Sequence, residues 1–140
     1  MPTDLAELRQ LIELPGLRKL ADRGLSDQEL ALVRKLADAT MRSARSGDVL
    51  GYLRADMVFH LCLLELTGDP ALSEIARLLL TPVPVQVARA EQSDFLTHEA
   101  REHRELVGLL AEGLVSASDD LLRLHLSRLS AGRSGGADGF

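Results

Sequence analysis

Asp56 and His60 stand four residues apart in Arg54-Ala55-Asp56-Met57-Val58-Phe59-His60. A helix turns once in about 3.6 residues, so on a helix both side chains point the same way. They lie in the apolar run Met57-Val58-Phe59-His60-Leu61-Cys62-Leu63-Leu64, where an unpaired charge is costly. Two chemistries fit. One is a hydrogen-bonded Asp–His pair that locks a core. The other is half of a metal site. His103, in Arg101-Glu102-His103-Arg104-Glu105-Leu106-Val107, and His125, in Leu121-Leu122-Arg123-Leu124-His125-Leu126, extend the choice. His125 is flanked by leucines and follows Leu121 by four, which directs it inward. Either histidine alone reads more readily as an ordinary core or surface residue. Together, one carboxylate and three imidazoles suit zinc, nickel, iron or manganese. Such a set fills four positions and can leave one or two open for water or a ligand oxygen. His98, five residues before His103, falls on another face and reads as a surface residue.

The elements that must position these residues are helical. Leucine recurs at spacings of three and four, and β-branched residues are sparse. A first helix is expected from Asp4 to about Asp22, with Pro15-Gly16 kinking or splitting it. Gly24 would end it. Ser26-Asp27-Gln28-Glu29 is a capping box for a second helix, reaching about Arg45. The third helix runs from about Val49 to Thr67. Gly68-Asp69-Pro70 closes it and caps a fourth, which begins near Ala71. Pro82 and Pro84 should break that helix, with a continuation from Val85 to Gln92. A fifth helix spans about Ser93 to Glu112 and a sixth about Ser116 to Leu129. The expected fold is all-α, an antiparallel bundle of six or seven helices, with one domain over residues 1–131 and a glycine-rich disordered tail at 132–140. Helix bundles commonly build metal sites in their cores.

Composition bounds the function. With 140 residues the chain suggests one domain, burying about two thirds of its unfolded surface. Hydrophobic residues at 46% and charged ones at 26% are those of an ordinary globular protein. The net charge of −5 argues against binding nucleic acid by these residues alone, because phosphates need a basic face. A single cysteine excludes a disulfide framework and points to a reducing, cytoplasmic setting. The N-terminus lacks the basic start and apolar stretch of a signal peptide. No apolar run approaches the roughly 20 residues of a membrane span.

The motifs resemble a known family when taken in order. Asp56-Met57-Val58-Phe59-His60 is followed by Gly68-Asp69-Pro70, then Glu102-His103, Gly113-Leu114 and His125. This order is similar to the FCD domain, the effector-binding domain of GntR-type bacterial transcription regulators of the fatty-acid-regulator branch. Glu7-Leu8-Arg9-Gln10-Leu11-Ile12-Glu13 also resembles that family's opening helix, and the likeness covers roughly residues 4 to 130. It implies a helical bundle holding a divalent metal, zinc before nickel, iron or manganese, through Asp56, His60, His103 and His125. It implies a small carboxylate effector met by Arg9 and Arg89, a homodimer, and DNA contact only through a winged-helix domain absent from this chain. The chain departs from the pattern where Asp69 replaces asparagine, where Leu114 replaces aspartate, and where Pro82 and Pro84 interrupt a helix that is usually continuous.

Two other classes compete with a sensing domain that is not an enzyme. A small metal-dependent enzyme would need an open metal position and a nearby general base. Glu102 adjoins His103 but points in a different direction on a helix, and no nucleophile motif or phosphate loop is present. The other is a helical interaction domain whose histidines are structural. Metal content separates it from the first two, and turnover of a bound acid separates those from each other.

Overall fold

The computed structural model describes residues 5–80 and 93–138 of the chain. The described residues form an antiparallel bundle of six helices: α1 (Leu5–Arg23), α2 (Asp27–Ser46), α3 (Val49–Glu65), α4 (Pro70–Leu79), α5 (Ser93–Ala111) and α6 (Val115–Asp138).

Local sequence sets most of the boundaries. The Ser26 hydroxyl accepts from the Glu29 amide, and the Glu29 carboxylate accepts from the Ser26 amide, so two otherwise orphaned donors at the start of α2 are satisfied. Gly47, at φ 73°, ends α2 in the left-handed conformation that side chains disfavour. Asp48 then caps α3 by accepting from the Gly51 amide. Asp69 accepts from the amides of Ala71 and Leu72, and Pro70 opens α4, where its missing N–H is no loss.

Two expectations are corrected. Pro15-Gly16 does not split the first helix: α1 is continuous with Pro15 inside it. A methyl group on Gly16 would come within 2.5 Å of Leu64 Cδ2. The pair therefore serves close packing of α1 on α3, which offsets the one helical hydrogen bond that the proline removes. The final helix does not stop near Leu129, since α6 is described to Asp138. Glycine lowers helix propensity by about 1 kcal/mol per residue but can adopt helical dihedrals. The expected proline break and the 85–92 continuation, with Arg89, lie outside the described residues.

The core is apolar and shared. Leu17 and Leu20 of α1, Val33 of α2, Phe59 of α3, Leu110 of α5 and Leu122 of α6 belong to one buried cluster. α1 packs along α6, and α2 along both α3 and α5. The last two arrangements carry Asp56, His60 and His103 to the middle of the bundle. Among the described residues no helix is long and apolar enough to cross a membrane.

Candidate metal centre

Four side chains from three helices converge inside the bundle. Asp56 and His60 come from α3, His103 from α5 and His125 from α6, and one potential ligand atom from each lies within 4.8 Å of all the others. These are the four residues singled out from the sequence. Asp56 Oδ1 is 3.2 Å from His60 Nε2 and 3.0 Å from His103 Nε2, and the two histidine Nε2 atoms are 3.2 Å apart. His60 and His103 are wholly buried, whereas the Asp56 side chain is 19% exposed and forms the solvent side of the cluster. Tyr52 stacks over His103, and Phe59 lies against the rings of both His60 and His103, so aromatic rings wall the site.

Each of the three clustered histidines is held at its Nδ1. His60 Nδ1 lies 2.7 Å from Glu13 Oε1. His103 Nδ1 lies 2.9 Å from Thr40 Oγ1. His125 Nδ1 lies 2.6 Å from Glu99 Oε2 and 2.8 Å from Glu102 Oε1. A carboxylate can only accept, so His60 and His125 each donate from Nδ1. That leaves Nε2 of each ring as the site-facing atom. A second-sphere carboxylate or hydroxyl on the far nitrogen is the usual support of a metal-binding histidine.

Electrostatics follow the supports. Burial opposes charge on His60, yet Glu13 and Asp56 beside it outweigh burial and raise its pKa. Burial likewise opposes charge on His125, but Glu99 and Glu102 push it up to about 10. His103 has no carboxylate at Nδ1, and burial takes it down to about 3 against the pull of Asp56. Asp56 is held well below the usual carboxylate range, against burial, by His60 and His103. Burial also opposes ionisation of Glu13, which Arg9 and His60 bring to about 2.

The donor set fits a divalent cation. Rings that keep only the proton on the far nitrogen would turn lone pairs toward one another and toward an ionised Asp56, an arrangement that needs a proton or a cation among them. Two ligand atoms each about 2.1 Å from one ion, at angles of about 90–110°, lie about 3.0–3.4 Å apart. The separations of 3.0 and 3.2 Å around Asp56, His60 and His103 match.

Arg9, expected to meet an effector, is buried in α1 and bonds Glu13 Oε2 through Nε at 2.6 Å. Its Nη2 is buried without a hydrogen-bond partner among the described residues, and Arg9 lines a narrow crevice with Ile12, Glu13, Leu64, Ala76 and Leu80. His98 is half exposed, 3.7 Å from Glu102 Oε2. Sequence reasoning missed Glu13, Thr40 and Glu99 as supports. Glu102 does point away from the His103 side of its helix, but toward His125 and Arg128 of α6. Only Glu13 had a local signal, its place four residues after Arg9.

The FCD domain family matches residues 4–128, and the chain belongs to that family: it is a ligand-sensing regulatory domain of the GntR type. Two solved regulators share the fold. The Escherichia coli protein McbR/YncC has 19% identity and a TM-score of 0.78 over 91% of this chain and 64% of its own. Lar, described as controlling expression of the Listeria monocytogenes agr system, has 18% identity and a TM-score of 0.79 over 91% of this chain and 60% of its own. The chain thus spans about three fifths of their length. No curated protein matches.

Proposed function

We propose that this domain senses a small organic acid through a divalent metal held by Asp56, His60, His103 and His125. The convergence of these four residues, each histidine anchored at its far nitrogen, is the observation that carries the reading. When bound, the metal supplies a positive centre with positions open to a carboxylate oxygen. Zinc suits the three nitrogens and one oxygen, and nickel, iron and manganese remain compatible. Asp56 offsets one of two metal charges, so a net attraction for an anion remains. Among the described residues nothing matches the Nη2 of buried Arg9, which supports a role in holding that anion, since such a donor is costly to leave unmatched. Arg89 is a second effector contact on the strength of the family resemblance.

The bound acid would change how a homodimer in the cytoplasm engages DNA. DNA contact would belong to a winged-helix domain outside these 140 residues, in keeping with the net charge of −5. The domain is read as a sensor and not an enzyme: among the described residues, Glu13, Glu99 and Glu102 beside the cluster are tied to histidines and arginines and so are not free to act as a general base.

Elemental analysis of purified protein beside His60→Ala and His103→Ala tests the metal. One equivalent in the parent and little in either variant is expected, and equal content in all three removes the assignment. Thermal-shift screening of organic acids with and without chelator tests the effector. Stabilisation that needs the metal is expected, whereas preference for an uncharged compound counts against a carboxylate. A gel shift at low salt that shows sequence-specific DNA binding by these residues would overturn the division of labour.

A further inference from the structure

The three histidines are not backed alike. His60 and His125 offer Nδ1 to carboxylates, which leave no choice about where the proton lies. His103 offers Nδ1 to the hydroxyl of Thr40 at 2.9 Å. A hydroxyl can donate or accept, so by itself it leaves the ring's tautomer open. Here a third group closes the choice. Thr40 Oγ1 lies 2.7 Å from the Ala37 carbonyl oxygen, three residues back on α2, and donates its one proton there. Only lone pairs are left to face His103.

A rival acceptor stands on the other side of the ring. Asp56 Oδ1, 3.0 Å from His103 Nε2, would draw the proton to Nε2 and so block that atom as a ligand. Thr40 and His103 are both wholly buried, so bulk water does not arbitrate. We infer that Thr40 is a positioning residue whose helix-directed hydroxyl holds the ring proton of His103 on Nδ1, so that Nε2 meets Asp56 and His60 as a free lone pair. The inference rests on the metal reading of these four residues and extends the site to α2, which contributes none of them. Its chemical consequence is an unequal set: two imidazoles made more basic by carboxylates and one backed by a neutral oxygen.

Loss of such an outer partner typically lowers metal affinity about 10–100-fold. Thr40→Val keeps the shape and removes both hydrogen-bonding roles, and Thr40→Ser restores the hydroxyl. Histidine-ring NMR of metal-free protein reads the tautomer, a competition titration with zinc reads affinity, and thermal unfolding checks the fold. The wild type and Thr40→Ser should show His103 protonated at Nδ1. Thr40→Val should move the proton toward Nε2 and bind zinc about 10–100-fold more weakly, with Thr40→Ser within a few-fold of wild type. Wild-type His103 protonated at Nε2 overturns the inference without any variant. Unchanged tautomer and affinity in Thr40→Val, or failure of Thr40→Ser to restore them, overturns it as well. A wild type that takes up no zinc but shows the Nδ1 form removes the metal reading while upholding the action of Thr40 on the ring.

Discussion

Two buried layers of this bundle lie side by side and are differently made. Leu20, Phe59, Leu110 and Leu122 belong to an apolar cluster, where stability comes from area removed from water and from close packing. Beside it, Asp56, His60, His103 and His125 are nearly as enclosed, but each of these histidines is held at Nδ1 by a carboxylate or a hydroxyl. Phe59 belongs to both, since it packs in the apolar cluster and its ring lies 4.6 Å from that of His103. The apolar layer can exchange side chains of similar volume at modest cost. The polar layer cannot, because removing one partner leaves another group buried and unmatched. The sensing chemistry proposed above would sit in the layer where substitution is least tolerated, while the apolar layer supplies most of the bundle's stability.

That contrast can be broken by a pair of substitutions with opposite readouts. His60→Ala should abolish stoichiometric metal uptake, which elemental analysis reads directly, and should also strand Glu13 and Asp56. Leu122→Ala should lower unfolding free energy by about 2–5 kcal/mol in a denaturant titration while the folded protein still takes up one metal. Metal loss in Leu122→Ala with the fold intact would show that the layers are not separable. The close approach of α1 to α3 is a smaller lever. Gly16→Ala forces a methyl group against Leu64 and should cost about 1–3 kcal/mol, partly relieved by Leu64→Ala in a double-mutant cycle.

The smallest expected effect lies on the surface. Hydrogen bonding from Arg18, joined by Arg123, lowers the Asp119 pKa and ties α1 to α6. A carboxylate whose folded pKa is depressed adds stability above its unfolded pKa of about 3.9, and this is lost as pH falls through the folded value. Asp119→Asn should therefore be slightly less stable than wild type at pH 7, and the gap should close below pH 4. A gap that persists at pH 2 would mean that packing, not charge, is what Asp119 contributes.

Local signals determined the elements and the metal-site candidates. Ser26 with Glu29, Gly47 with Asp48, and Asp69 with Pro70 act through bonds to neighbours a few residues away, so the helix starts and turns they make are legible in the chain. The four-residue step from Asp56 to His60 is legible for the same reason, and the leucines around His125 mark its inward face. Pro15 misled because its cost is local while the compensating gain, contact of Gly16 with Leu64, spans 48 positions between those residue numbers. The glycines after Leu129 misled because propensity is a weak bias that does not by itself end a helix. Only tertiary structure could assign Glu13 to His60, Thr40 to His103, and Glu99 with Glu102 to His125. Those partners come from other helices, and no periodicity within one helix encodes which atom of a neighbouring helix will face it.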